Sequence, residues 1–251
     1  MKRREFLGKS AAFAAAAAIP VGALGDLIRQ GRAAKPQASA VKPLTPPKDA
    51  LIPVAFIISQ NAVVIDFCGP WEVFQDTNKP GTREALFELY TVAETTNPIR
   101  ASAGLQIVPD YTFENAPIPK LAVIPAQRGQ TPAMLDYIRR ITKSTDLTMS
   151  VCTGARVLAS TGLLSGKAAT THHNAYDSFA KAYPDVLLKR GARFVEDGNL
   201  ASSGGLSSGI DLALHVVERY FGRDVAIATA YQMEYQGEGW KDANSNSVYA
   251  K

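Results

Sequence analysis

The chain has 251 residues, of which 46% are hydrophobic and 20% are charged, so it can bury a large core and is neither disordered nor fibrous. Residues 1–40 contain seven of the 27 basic but only two of the 23 acidic side chains, which accounts for the formal net charge of +4. The remaining chain carries about one net negative charge and gives no electrostatic reason to expect nucleic-acid binding.

The first 40 residues have the pattern of a twin-arginine export signal. Two adjacent arginines at positions 3 and 4 precede a Phe-Leu pair, and an alanine-rich apolar segment follows. Glycine and proline interrupt that segment, which favours a removable signal over a stable membrane span. The Ala-Ser-Ala sequence at 38–40 fits a cleavage site, and a cut near Ala23 is the alternative. We therefore expect a periplasmic or otherwise exported protein, with a poorly ordered linker at residues 41–50.

Strands alternate with helices between residues 51 and 236, which we expect to form one folded domain. The apolar run at 52–58 is typical of a strand that is covered on both faces. A helix with Pro70 in its first turn is expected next. Further strands are expected at 87–93, 121–124, 147–151, 168–171, 193–196 and 200–203, with a small hairpin within 99–111. Further helices are expected at 131–142, from 154 to Gly162 or Gly166, at 174–183 with Asn174 as cap, at 207–221 and at 224–235.

This order of elements predicts an α/β fold: a single doubly wound, mainly parallel sheet with helices on both faces, as in a flavodoxin-like sandwich. The active crevice of such a sheet lies at the carboxyl ends of its strands. Residues 66–72 and the turn at Cys152 both follow predicted strands, so both are expected at that edge. Residues 237–251 are polar and are expected to form a frayed tail.

Cys152 lies where a short apolar strand turns into a helix through Thr153 and Gly154. The N–H groups at a helix start favour negative charge, so this position favours a thiolate and offers donors to a bound oxyanion. The alternative is a buried structural cysteine, since free cysteine is among the most buried residue types. Cys68 is the one other cysteine of the chain; it either forms a disulfide with Cys152 or is a small packed side chain.

Four segments carry a family likeness: 65–74 (IDFCGPWEVF), 150–155 (SVCTGA), 162–172 (GLLSGKAATTH), and 197–205 together with 209–214. With these segments the chain resembles the ThiJ/PfpI superfamily, and within it the isonitrile hydratase branch. The resemblance covers about residues 51–236. It implies a class I glutamine amidotransferase-like fold, no cofactor, a small-molecule substrate and a homodimer.

The resemblance implies roles for particular residues. Cys152 matches the nucleophile, Thr153 the threonine that follows it in the hydratase branch, and Asp66 the acid implicated in hydration. Glu72 occupies the acidic position that contacts the cysteine in relatives. Substrate or oxyanion contacts are expected from Gly69, Ala126, Gln127 and His172. From the residues alone, Asp66 could instead cap a helix, Glu72 could favour a helix dipole, and His172 could be a loop residue.

The segment after Pro125 departs from the family pattern. Relatives usually carry two glycines there, next to an N–H of the oxyanion hole, whereas this chain has Ala126-Gln127-Arg128-Gly129. The side chains at these positions put the substrate in doubt, because they narrow the site or change the turn. His172 and His173 are adjacent but lack a third clustered ligand, so no metal site is expected.

Three functions are compatible with these residues. The leading expectation is hydration of a small substrate by a thiolate, with a carboxylic acid that shuttles protons. A carboxylate beside a thiolate is a like-charge pair, so one of the two groups should hold a proton near neutral pH. The alternatives are glyoxalase or deglycase chemistry on α-oxoaldehydes and a non-catalytic redox-sensing or ligand-binding module. The branch that is fused to a helix-turn-helix domain is not favoured.

Overall fold

The computed structural model describes residues 42–250. The predicted export signal, its cleavage sites and the alternative of a membrane anchor fall on residues 1–40 and lie outside the described residues. Between residues 42 and 250, no helix is both long and apolar enough to cross a membrane.

A seven-stranded sheet forms the centre of the domain. In chain order the strands are β1 (Ile52–Ile57), β2 (Phe87–Ala93), β3 (Ile99–Arg100), β4 (Gln106–Ile107), β5 (Tyr111–Thr112), β6 (Leu121–Ile124), β7 (Leu147–Val151), β8 (Ala168–Ala169), β9 (Leu187–Leu188), β10 (Phe194–Asp197) and β11 (Leu200–Ser203). The central sheet has the order β10-β11-β7-β6-β1-β2-β5. All of its neighbouring strands are parallel except β10 and β11, which form an antiparallel hairpin.

Helices cover both faces of this sheet. They are α1 (Val64–Gln75), α2 (Pro132–Thr142), α3 (Gly154–Ser160), α4 (Tyr176–Ala182), α5 (Ser208–Phe221) and α6 (Arg223–Gln232). Alternate residues of β1 belong to different cores: Val54 and Phe56 pack with α1, α5 and α6, whereas Ala55 and Ile57 pack with α2, α3 and α4. This double burial is the physical reason for the continuous apolar run in the sequence. The predicted α/β fold class is confirmed.

Most predicted elements are found within one or two residues of their expected bounds. The strands β2 and β6 have the predicted ends, and the hairpins β3–β4 and β10–β11 form where glycine-containing turns were expected. The strand predicted at 168–171 is shorter. It pairs with β9 in a separate two-stranded sheet rather than with the central sheet.

The helix α1 begins six residues earlier than the position of Pro70 suggests. It starts at Val64, so Pro70 lies in its interior rather than in its first turn. A proline there lacks the N–H that would bond to the carbonyl oxygen of Asp66 four residues back. This start of α1 matters for function, because it places Asp66 in the first turn and Glu72 near the last.

The cap expected at Asn174 is also wrong. The helix α4 begins at Tyr176, and a 3₁₀ turn at His173–Ala175 precedes it. The imidazole of His172 accepts the Asn174 N–H at 3.1 Å and therefore caps this turn. Asn174 contributes its backbone rather than its side chain.

Both ends of the described chain are bound to the domain. The predicted frayed tail is wrong, because the Trp240 side chain is only 2% exposed and the Arg193 N–H donates to the Ala243 carbonyl at 2.6 Å. At the other end, Arg219 Nε donates to the Lys42 carbonyl, and the Leu44 N–H donates to the Arg219 carbonyl, each at 2.8 Å. The part of the expected linker after residue 41 is thus anchored on α5.

We expect Trp240→Ala to lower the free energy of unfolding by about 3–5 kcal/mol, since it removes a large buried side chain. Val248→Ala, in the same segment but 74% exposed, should change it by less than about 0.5 kcal/mol. Urea unfolding followed by circular dichroism measures both. Equal, small effects would show that the segment after residue 236 is frayed after all.

Candidate active site

Cys152 sits in a strained turn at the carboxyl end of β7. Its backbone φ of 59° lies in the left-handed region, which costs a non-glycine residue on the order of 1–3 kcal/mol. The Cys152 N–H donates to the Gly204 carbonyl at 2.9 Å and so fixes the turn. At Gly154 a Cβ atom would lie 2.2 Å from the Ile124 carbonyl oxygen, so only glycine fits there. The sequence prediction of a strand-to-helix turn around Cys152 is confirmed.

The carboxyl group of Asp66 lies next to this cysteine. Its side chain has no exposed surface, and Oδ2 accepts the Ala126 N–H at 3.1 Å. Among residues 42–250, no group meets hydrogen-bond geometry at Oδ1. Burial raises the Asp66 pKa from 3.8 to about 7, although the Ala126 N–H and the Cys152 side chain act in the opposite direction. The group therefore titrates near neutral pH.

The thiol of Cys152 is harder to ionise than the sequence suggested. Burial and then the Asp66 charge raise its pKa from 9.0 to about 11, and the hydrogen-bond donors of Thr153 and Leu206 offset only part of this shift. The expected low-pKa thiolate is therefore corrected, because desolvation outweighs the donors at the start of α3. Near neutral pH the pair therefore carries at most one negative charge, and the directions of the two shifts place it on Asp66 rather than on sulfur.

Two residues supply hydrogen-bond donors to the sulfur. Thr153 acts through both its N–H and its hydroxyl, and Leu206 acts through its N–H. Leu206 also has a left-handed backbone, with φ 51°. The sequence prediction did not include it. It reaches Cys152 because β11 pairs in parallel with β7, which places Ser203 beside Val151. The signal in the sequence was the Gly204-Gly205 pair that follows a strand.

Two of the predicted site residues lie elsewhere. Glu72 is exposed, accepts the Gln75 amide at 3.3 Å, and is not among the groups that shift the Cys152 pKa. Gly69 provides close helix packing, since a Cβ atom there would lie 2.9 Å from a side-chain carbon of Ile210. The family resemblance implied both roles. Among the residues of α1, which begins at Val64, only Asp66 shifts the pKa of Cys152.

The segment after Pro125 holds the acid rather than offering free donors. The Ala126 N–H is already bonded to Asp66. The Gln127 side chain donates to the Ile57 carbonyl at 3.0 Å and accepts the Ser59 hydroxyl at 3.0 Å. Both groups therefore have partners within the domain, and the expected substrate or oxyanion contacts of Ala126 and Gln127 stay a prediction.

His172 supports the loop that carries Leu206. Its ring lies against Gly205, where a Cβ atom would come within 2.1 Å of the imidazole, and it stacks on His173 with ring centroids 4.4 Å apart.

Both cysteines are free, and Cys68 is half-buried against the core. Within residues 42–250, no cluster of three or more histidine, cysteine or acidic side chains could hold a metal ion.

Comparison with known proteins assigns the chain to a family. The model of the DJ-1/PfpI family matches residues 53–219, which is most of the described domain. The chain belongs to the DJ-1/PfpI family. The predicted ThiJ/PfpI membership is thus confirmed. A crystal structure of a ThiJ/PfpI family protein from Pseudomonas syringae has a TM-score of 0.67 at 24% identity, covering 75% of this chain and 77% of that one, and it supports the fold.

Curated relatives in this family have different functions. Isonitrile hydratase from Pseudomonas putida is 34% identical over 192 residues, which cover 72% of this chain and 78% of the relative. The HTH-type transcriptional regulator GbdR from Pseudomonas aeruginosa is 26% identical over 73% of this chain, which spans only half of the regulator. The DJ-1/PfpI domain alone therefore does not decide between catalysis and sensing.

Asp66→Asn should lower the apparent pKa of the Cys152 thiol by about one unit or more, since it removes a buried like charge. The measurement is the pH dependence of Cys152 alkylation by iodoacetamide, read from the Cys152 peptide by mass spectrometry. Glu72→Gln is the matched control and should leave the curve unchanged. An unchanged curve in Asp66→Asn, or an equal shift in Glu72→Gln, would contradict the site described above.

Proposed function

We propose that this DJ-1/PfpI protein is a cysteine-dependent enzyme that hydrates a small isonitrile, R–N≡C, to the N-substituted formamide. The observation that carries the proposal is the buried pair of Asp66, with a pKa of about 7, and Cys152 in a strained turn. Such a pair joins a nucleophile to a group that can take up and release a proton near neutral pH. The similarity to a relative named isonitrile hydratase supports this choice of substrate.

In the first step, the Asp66 carboxylate takes the thiol proton of Cys152. The sulfur attacks the terminal carbon of the isonitrile, and the proton passes from Asp66 to that same carbon. The product is a thioimidate, R–N=CH–S–Cys152, which contains every atom of the thiol and the isonitrile. The N–H groups of Thr153 and Leu206 stabilise the sulfur while it carries negative charge.

In the second step, the Asp66 carboxylate removes a proton from water as its oxygen bonds to the thioimidate carbon. Nitrogen takes up one proton, and the carbon–sulfur bond then breaks. The sulfur regains the other proton, and R–NH–CHO leaves. Asp66 ends in its starting carboxylate form, so the cycle consumes only the isonitrile and one water.

The burial of the nucleophile supports a small substrate. Cys152 is only 7% exposed, so little of it is open to a bulky group. We also propose that the protein is exported, from the twin-arginine pattern in residues 1–40, and that it acts as a homodimer, from the family resemblance.

A second candidate function is a non-catalytic sensing or ligand-binding module. It is supported by the raised pKa of Cys152, which keeps the thiolate scarce near neutral pH, and by the similarity to a transcriptional regulator. In this case the site would respond to a bound ligand, and no substrate would turn over. The raised pKa does not favour a response to oxidants, because oxidants react with the thiolate.

We expect the mature protein to convert a small alkyl isonitrile to the formamide, with kcat/KM rising as the pH increases through about 7, because Asp66 must be ionised to accept the thiol proton. Asp66→Asn should lower kcat/KM by about 10²–10⁴-fold and remove this pH dependence. Cys152→Ser should lose at least about 10³-fold, and Glu72→Gln should stay within about twofold. Product formation is followed by NMR of the formyl proton.

Three results would contradict the hydratase proposal. Full activity in Cys152→Ser would exclude the thiol as nucleophile. Turnover of methylglyoxal without any turnover of isonitriles would support the α-oxoaldehyde alternative instead. If neither substrate reacts while Cys152 is selectively oxidised, the sensing module becomes the better account.

A further inference from the structure

A polar cavity of about 180 Å³ lies beside the Gly204–Leu206 loop, separate from the Cys152–Asp66 pair. Its wall includes six residues on which the proposal below depends: His172, Tyr176, Arg193, Gly205, Leu206 and Ser207. Among the described residues that line it, none is acidic. Leu206 belongs both to this wall and to the donors that act on the Cys152 sulfur. Leu206 therefore contacts both the cavity and the nucleophile.

The Arg193 guanidinium lines this cavity and is held there by several partners. Arg193 Nε and Nη2 bind the buried Asp211 carboxylate. The second Nη2 hydrogen goes to the Ser207 hydroxyl and one Nη1 hydrogen goes to the Asn246 amide oxygen, each at 3.1 Å. Tyr235 is a further hydrogen-bond partner of the Arg193 side chain, so none of the five guanidinium N–H groups is counted as a free donor.

Three other side chains in the wall keep unused donors. The Ser207 hydroxyl accepts from the guanidinium, which leaves its own hydrogen free to donate. The Tyr176 hydroxyl likewise accepts the Gly191 N–H at 2.9 Å. Because His172 Nδ1 accepts the Asn174 N–H, the neutral ring carries its hydrogen on Nε2. Within the described part of the chain, these three hydrogens have no assigned acceptor.

The acceptors of the loop, in contrast, are already occupied. The carbonyl oxygens of Gly204–Leu206 accept the N–H groups of Cys152, Ser208 and Gly209, at 2.9, 3.1 and 3.0 Å respectively. Around the loop, side chains with an unused hydrogen therefore face carbonyl oxygens that each already accept a hydrogen bond. A ligand that satisfies such a wall is rich in acceptor oxygens and small enough for about 180 Å³.

We propose that this cavity binds a small oxyanion, either a monocarboxylate or inorganic phosphate, and that binding alters the reactivity of Cys152 through Leu206. Coupling is expected because the Leu206 backbone is held in the left-handed region, where a small change of the loop redirects its N–H. An anion next to the loop also disfavours a thiolate on Cys152 electrostatically. The proposal does not depend on hydratase activity, since it concerns binding and thiol reactivity alone.

The test is the rate of Cys152 alkylation by iodoacetamide in the full chain, at fixed pH and ionic strength, as acetate or phosphate is added. We expect a saturable slowing of about threefold or more for at least one anion. Acetamide, the neutral counterpart of acetate, should have no effect. Alkylation of Cys68, measured in the same samples, should not change.

Ser207→Ala should raise the anion concentration at half-saturation by about fivefold, because it removes one donor from the wall. Ser245→Ala, an exposed serine outside the cavity wall, is the matched control and should match the parent. Slowing by acetate alone would identify a carboxylate site, and slowing by phosphate alone a phosphate site. The proposal is overturned if neither anion saturates in the parent protein, if acetamide acts equally, or if Ser207→Ala and Ser245→Ala behave alike.

Discussion

The burial of one carboxyl group against one thiol is the interaction on which the site depends. Asp66 has no exposed surface, and it is paired with a single N–H, from Ala126. A carboxylate so poorly compensated is costly, and its pKa rises to about 7 as a result. The same charge raises the pKa of Cys152. Each group thus sets the protonation state of the other, and neither can be understood alone.

The parallel sheet brings this pair together from distant parts of the chain. Asp66 comes from the helix after β1, Ala126 follows β6, Cys152 follows β7, and Leu206 follows β11. These strands are successive neighbours in the sheet, so their carboxyl ends open at one edge. The backbone strain is concentrated at the same edge, with Cys152 and Leu206 both in the left-handed region. Rigid packing on both faces of the sheet holds these strained turns in place.

Local sequence patterns predicted the helices and strands and the two central site residues. They failed where long-range contacts determine which residues lie at the site and how their pKa values shift. Asp66 and Cys152 each follow a strong strand pattern, and the resemblance added their roles. The resemblance placed Glu72 at the site, but in the structure it is exposed near the end of α1. The start of α1 was misjudged because Pro70 is a typical first-turn residue, yet tertiary packing tolerates it inside the helix. Leu206 was missed because its contact with Cys152 depends on which strands pair. The pKa of Cys152 was misjudged for the same reason, since burial cannot be read from a helix start.

The measurement that tests this account most directly is the pKa of Asp66 itself, from the pH titration of its ¹³C-labelled carboxyl group by NMR. The account predicts a midpoint of about 7 in the parent protein. It predicts an equal or higher value in Cys152→Ala, because the thiol is one of the groups that lower this pKa. A midpoint near the ordinary value of 3.8 would show that the carboxyl group is well solvated or well paired. The buried Asp66–Cys152 pair, and the proton transfer proposed for it, would then be wrong.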